Sequence, residues 1–213
     1  MLPLAMSACT AVSAVGRGAD ATLAALLERR SGLRPCDFED VRLDTWIGRV
    51  DGVDAVAMPP GLERFDCRNN RLAQLALATD GFAAAIADAA RRYGPERIAV
   101  VLGTSTSGIL SSEHAYRQRD PATGRLPSAF DYEHTHDLFS LARFVRAAMG
   151  LRGPASVLST ACSSAAKSFG EAAELIAAGI CDAAVVGGAD SLCGMTLYGF
   201  TALELLARGP SRP

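Results

Sequence analysis

The chain has 213 residues, 49% hydrophobic and 21% charged, which argues against a disordered or fibrous protein and supplies enough apolar side chains for one sizeable core. Its formal net charge is −2, and its arginines fall in short groups such as Arg29-Arg30 and Arg91-Arg92, so no electrostatic footprint for nucleic acid is present. The six cysteines, Cys9, Cys36, Cys67, Cys162, Cys181 and Cys193, form no CxxC pair and match neither a zinc site nor a compact disulfide scaffold, so a reducing, cytoplasmic setting without a bound metal is expected.

At the start, the apolar run Leu2 to Ala8 predicts a buried strand. A glycine-rich turn follows, then a helix from about Asp20 to Arg30 with Asp20 as its cap. No basic segment precedes the first apolar run, and Gly16-Arg17-Gly18 breaks it far short of a membrane span, so neither an export signal nor membrane insertion is expected. From Cys36 to Leu62 helical periodicity is lost, and Pro59-Pro60-Gly61 points to short strands and loops.

Leu72, Leu75, Thr79, Phe82, Ile86, Ala90 and Tyr93 recur every three or four residues and predict one long helix ended by Gly94-Pro95. Ile98 to Leu102 is a short, wholly apolar, β-branched run of the kind that forms a parallel strand covered on both faces. It leads into the loop Gly103-Thr104-Ser105-Thr106-Ser107-Gly108 and a further helix. After turns around Pro121 to Ser128, a periodic stretch through Leu138, Leu141, Val145 and Met149 stops at Gly150. Ser156 to Ser159 predicts a second strand, and Ser163 to Ala178 a helix with Ala165, Phe169, Ala172 and Ile176 on one face, closed by Gly179. Ala183 to Val186 predicts a third strand. Strands alternating with helices give a layered α/β domain with helices on both sheet faces, spanning 1–213.

Chemistry concentrates at Ser159-Thr160-Ala161-Cys162-Ser163-Ser164-Ala165, where a cysteine falls between a buried strand and an amphipathic helix. Helix N-termini favour thiolates over thiols, because their N–H groups and positive dipole end face the sulfur. The small neighbours let a carbonyl approach, and the Cys162 N–H is a candidate oxyanion donor, which together fit acyl transfer. An isolated cysteine is otherwise most often a small buried hydrophobe, and that reading is kept for the other five. The loop 103–108 spells G-x-x-x-x-G, but Ile109 stands where a phosphate-binding loop needs lysine, so nucleotide binding is rejected. His134 and His136, without a third ligand, are read as surface structure, as is His114.

The segments Gly150 to Pro154, Thr160-Ala161-Cys162-Ser163-Ser164 and Val186-Gly187-Gly188-Ala189-Asp190, in this order and spacing, resemble β-ketoacyl-acyl carrier protein synthases. The likeness extends to Arg68 to Ala76, Gly103 to Gly108 and Gly199 to Leu203, and so covers nearly the whole chain. It implies the α/β thiolase-like fold, in which two similar halves form an α-β-α-β-α assembly, with this chain as the amino-terminal half. It implies Cys162 as the catalytic nucleophile, acylated from the phosphopantetheine arm of an acyl carrier protein and then attacked by the carbanion of decarboxylating malonyl-carrier protein. Acyl and malonyl thioesters are the substrates, no dissociable cofactor is needed, and the family's homodimer is the expected assembly. By position, Thr106 matches a residue that lines or gates the acyl pocket, and Phe200 falls near another pocket position.

The family's decarboxylating histidines and lysine follow the cysteine in the second half, whereas all three histidines here precede Cys162, and Lys167 stands on the helix after it. The ending from Arg208 to Pro213 is therefore expected to be an interruption, and the chain alone is expected to condense little or nothing. Two other readings are a noncatalytic interaction half-domain, disfavoured by the retained cysteine, and a coenzyme A-dependent thiolase, which Thr160 to Ser164 fits less well.

Overall fold

The computed structural model describes residues 3–207 and 209. Among the described residues of the segment predicted as a first strand, no strand forms, and Pro3 to Ser7 are exposed. The first paired elements are instead a small antiparallel hairpin, β1 (Val12–Ser13) and β2 (Gly16–Arg17). Helix α1 (Ala19–Leu27) begins one residue earlier than predicted, so Asp20 lies within its first turn, and Gly18 takes the cap position. A second antiparallel pair, β3 (Leu33–Pro35) and β4 (Trp46–Gly48), accounts for part of the loop-rich interval that follows.

The predicted long helix is two helices, α2 (Arg68–Leu77) and α3 (Phe82–Tyr93). The break falls at Asp80 and Gly81, whose φ values of 56° and 69° are left-handed and cannot continue a right-handed helix. The apolar spacing runs across the break because both helices turn their apolar faces to the same core.

The parallel sheet is three-stranded, in the order β6-β5-β7, with β5 (Ile98–Gly103), β6 (Ala155–Leu158) and β7 (Ala183–Gly188). Between β5 and β6 run α4 (Ile109–Arg117), the short α5 (Tyr132–Thr135) and α6 (Ser140–Ala148), while α7 (Ser164–Ala177) connects β6 to β7. Every residue of the central strand β5 is buried, and its side chains alternate between two cores. Ile98, Val100 and Leu102 pack with α2, α3 and α6 through Ala73, Leu77, Ile86, Leu141, Phe144 and Val145. Ala99 and Val101 face Ala172 of α7 and Cys181. The expected helices on both faces are thus present, and each fully buried aliphatic chain contributes roughly 1.5–3 kcal/mol.

On α7 the fully buried residues are Ser164, Ser168, Ala172 and Ala173; of the predicted face Ala172 is buried and Ile176 packs beside it, whereas Phe169 points outward at 49% exposure, so the buried face is rotated toward Ser168. Ser168 explains the rotation. Its Oγ accepts from the Gly187 N–H at 3.1 Å, and Ser168 packs α7 directly against β7.

Chain termini of the strands bring the functional loops together. A Cβ on Gly103 would stand 2.3 Å from the Ser164 carbonyl carbon and 2.4 Å from the Ala165 nitrogen, so the end of β5 touches the start of α7 only because residue 103 is glycine. A third core of Phe38, Val41, Ile47, Ile109, Leu110, Cys193 and Leu197 fastens α4 and α8 (Gly194–Ala202) to the 36–47 segment. The N-terminus of α8 is capped by Glu113 of α4, whose carboxylate accepts from the Gly194 and Met195 N–H groups at 3.1 and 2.6 Å.

Candidate active site

Cys162 lies in the turn between β6 and α7 and is exposed, as the strand-to-helix reading expects. The residue before it, Ala161, has φ 52°, a left-handed conformation that costs a non-glycine residue on the order of 1 kcal/mol or more. Its surroundings hold it there: the Ala161 carbonyl accepts from Ser164 N–H at 3.1 Å, Ser164 Oγ at 2.6 Å and Ser105 Oγ at 2.9 Å. Buried Ser164 also accepts from the Thr160 N–H at 2.8 Å. The N–H groups of Ser163 and Ser164 are therefore engaged within the turn, the former on the Thr160 carbonyl at 3.4 Å.

The three residues singled out by sequence meet in one cavity. Cys162, Thr106 and Phe200 line a space of about 370 Å³, together with Val50, Val53 and Leu72 on its apolar side. Thr106 is almost fully buried, and its hydroxyl is already committed: it donates to Asp190 at 2.9 Å and accepts from the Ser191 N–H at 3.0 Å. It therefore shapes the wall with its methyl group and backbone. Phe200, on α8, is 43% exposed, so its ring stands at the solvent side of the cavity wall.

Sequence reading assigned no role to Asp190 or Arg68, both of which line the same cavity. Asp190 follows β7, and one of its oxygens, Oδ1, accepts from Ser105 N–H at 2.6 Å, Thr106 N–H at 2.9 Å, Thr106 Oγ1 at 2.9 Å and Thr104 Oγ1 at 3.2 Å. Arg68, at the start of α2, is ion-paired with Asp54 and lies over the Phe38 ring at 5.3 Å. The signal for Asp190 was its place after Gly187-Gly188, where a strand end approaches the 103–108 loop.

Three of the other cysteines, Cys67, Cys181 and Cys193, are buried, as the core reading expects, whereas Cys36 is half-buried. Burial pushes the Cys67 thiol up to about 11, and burial also raises those of Cys181 and Cys193. Buried in the core, these three lie out of reach of a substrate in the cavity, whereas Cys9 is exposed and lies outside the cavity.

His134 is not the surface residue that was expected. It is buried, bonded through Nδ1 to Asp131 at 3.0 Å and set edge-on against Phe65 at 4.9 Å. His136 contacts Ser112 and stacks on Tyr132, and burial lowers its pKa. His114 bonds the Glu39 carboxylate at 3.0 Å.

With this geometry in place, the model of the β-ketoacyl synthase N-terminal domain matches residues 3–213. The chain belongs to this family. Among solved structures, the β-ketoacyl synthase domain is similar to a ketosynthase of Xenorhabdus doucetiae in complex with its chain length factor, at 33% identity and a TM-score of 0.76. That match covers 93% of this chain and 49% of the other. A β-ketoacyl synthase from Burkholderia phymatum STM815 matches at 25% identity and a TM-score of 0.70, over 93% of this chain and 49% of that one. A Streptomyces virginiae protein described as a polyketide β-ketoacyl synthase is 32% identical over 133 residues, 58% of this chain and 31% of the relative. The chain thus spans a third to a half of the length of these relatives, and its fold is the thiolase-like fold of ketosynthases. Among the described residues, no helix is long and apolar enough to cross a membrane.

Proposed function

We propose that this chain is the amino-terminal domain of a 3-oxoacyl-[acyl-carrier-protein] synthase in which Cys162 carries the growing acyl chain. The observation that carries this reading is the exposed thiol of Cys162, on a strained turn at a helix start, opening into the cavity that Thr106 and Phe200 share.

In the first step the Cys162 sulfur attacks the thioester carbonyl of an acyl group on the phosphopantetheine arm of a carrier protein. A C–S bond to Cys162 forms, the bond to the arm breaks, and the arm leaves as its thiol. The Cys162 N–H supplies a donor for the developing oxyanion. In the second step malonyl-carrier protein loses carbon dioxide, its carbanion attacks the acyl carbonyl, and Cys162 departs as thiolate, leaving a β-ketoacyl chain two carbons longer. The apolar side of the cavity, Val50, Val53 and Leu72, accommodates the acyl chain. No separate cofactor enters either step.

Apart from Cys162, the cavity lining holds Arg68 and Asp190 as its ionisable residues among the described residues. Neither is the histidine or lysine that the resemblance assigns to decarboxylation. The 213 residues alone therefore perform the transfer step at most, and condensation belongs to a longer, homodimeric, cytoplasmic parent in fatty-acid or polyketide synthesis. Incubating the chain with an acyl-carrier protein thioester and malonyl-carrier protein tests this. One acyl group per chain, absent in Cys162→Ala, without release of carbon dioxide is expected. Equal acylation of Cys162→Ala would overturn the reading.

A further inference from the structure

We infer that Asp190 is a positioning residue for Cys162, acting through the loop after β5; this rests on the reading of Cys162 as nucleophile. Asp190 lies 28 positions beyond Cys162 in sequence, yet two links join them. The first is the set of four donors on Asp190 Oδ1, from Thr104, Ser105 and Thr106, including the two adjacent backbone N–H groups. The second is Ser105 Oγ, which donates to the Ala161 carbonyl at 2.9 Å. Ala161 is the left-handed residue immediately before Cys162.

The geometry gives the carboxylate a task that few other side chains perform. Two consecutive N–H groups at 2.6 and 2.9 Å form a concavity that one anionic oxygen fills, and hydrogen bonds to a charged acceptor are stronger than neutral ones. Ser107, at φ 39°, is also left-handed, and its N–H is held by Thr104 Oγ1 at 3.0 Å. The loop is thus a strained segment whose 104–106 portion is gathered on Asp190, while Ser107 Oγ donates to the Asp137 carbonyl at 3.1 Å and the Thr104 N–H to the Leu158 carbonyl at 3.1 Å. Releasing that portion frees Ser105 and removes one of the three donors that keep Ala161 strained. Cys162 would then sample sulfur positions away from the cavity, and small displacements of a reacting atom have large kinetic effects.

The test compares wild type, Asp190→Asn and Asp190→Ala. Asparagine keeps an acceptor oxygen of the same reach; alanine keeps none. With an acyl-carrier protein thioester, the maximal rate of Cys162 acylation is expected to fall by on the order of tenfold or more in Asp190→Ala, with the half-saturating thioester concentration little changed. Asp190→Asn is expected to recover most of the rate. Amide hydrogen exchange at Ser105 and Thr106 is read in parallel, with protection lost in Asp190→Ala and largely retained in Asp190→Asn. A folded Asp190→Ala chain that acylates at the wild-type rate, or an asparagine variant no better than alanine, overturns the proposal. If the wild-type chain takes up no acyl group, the functional reading fails on its own, and exchange decides the positioning claim: unchanged protection of Ser105 and Thr106 in Asp190→Ala overturns it.

Discussion

Ser105 and Ala161 belong to loops that follow different strands, and the hydroxyl of the first donates to the carbonyl of the second at 2.9 Å. This bond ties the loop after β5 to the turn that presents Cys162. A net hydrogen bond of this kind stabilises by about 0.5–1.5 kcal/mol. Ser105→Ala is expected to lower stability by about 1 kcal/mol, read as a shift of the urea midpoint at constant slope. Because Ser164 still holds the Ala161 carbonyl, the variant is expected to remain folded.

Gly103→Ala is expected to be far more damaging. The new methyl would meet backbone atoms of Ser164 and Ala165 at 2.3 to 2.6 Å, and neither rotamer changes nor flexible tips can relieve that contact. A loss of about 3 kcal/mol or more is expected from such overpacking, measured by chemical denaturation. Because the clash falls on the first residues of α7, the turn carrying Cys162 is displaced as well, and its alkylation rate with iodoacetamide changes in the same sample.

Glu113 links α4 to α8 through two charge-assisted bonds to the first N–H groups of α8. Glu113→Ala removes both, with an expected cost of about 1–2 kcal/mol, the range for losing a helix cap. Since α8 carries Phe200, loosening its start is also expected to raise hydrogen exchange along 194–202 before the sheet is affected. Uniform exchange changes across the whole domain would contradict this local role.

The pH response near the sheet end follows from Asp182. Its hydrogen bonds with Arg97, at 2.7 and 3.1 Å, hold the carboxyl below its ordinary value of 3.8. The folded value is the lower one, so the contribution to stability is present above about 3.8 and is lost as pH falls through the folded value. Asp182→Asn is expected to be less stable than wild type at pH 6, with the gap closing below about pH 4. Denaturant midpoints at pH 6 and pH 3 measure it; a gap that is constant or widens in acid would contradict the pairing.

Much of the sheet and the strand-to-helix setting of Cys162 is legible in the sequence. The runs Ile98 to Leu102, Ser156 to Ser159 and Ala183 to Val186 are short, apolar and partly β-branched, and each is a parallel strand within a residue or two of its predicted ends. The break at Asp80-Gly81 was hidden because apolar residues keep helical spacing on both sides of it. Phe169 was misplaced because a helix rich in alanine and serine has no single greasy stripe, and Ser168 faces β7 through hydrogen bonds that hydrophobicity does not register. The Leu2 to Ala8 run carries strand-like composition, but pairing is a tertiary property, and none of its described residues forms a strand. A histidine pair with no third ligand reads as surface structure, but Asp131 and Phe65, brought in by the fold, give His134 a buried partner set. Asp190 stood in plain view after two glycines, but its role depends on a loop some 85 residues earlier in the chain.

The measurement that bears most directly on this account is tandem mass spectrometry of the native chain after incubation with an acyl-carrier protein thioester, locating the acyl group among the six cysteines. The account predicts the acyl group on Cys162, with Cys9, which is also exposed, left free. An acyl group distributed over exposed thiols, or placed on Cys9 while Cys162 stays unmodified in the folded chain, would contradict it.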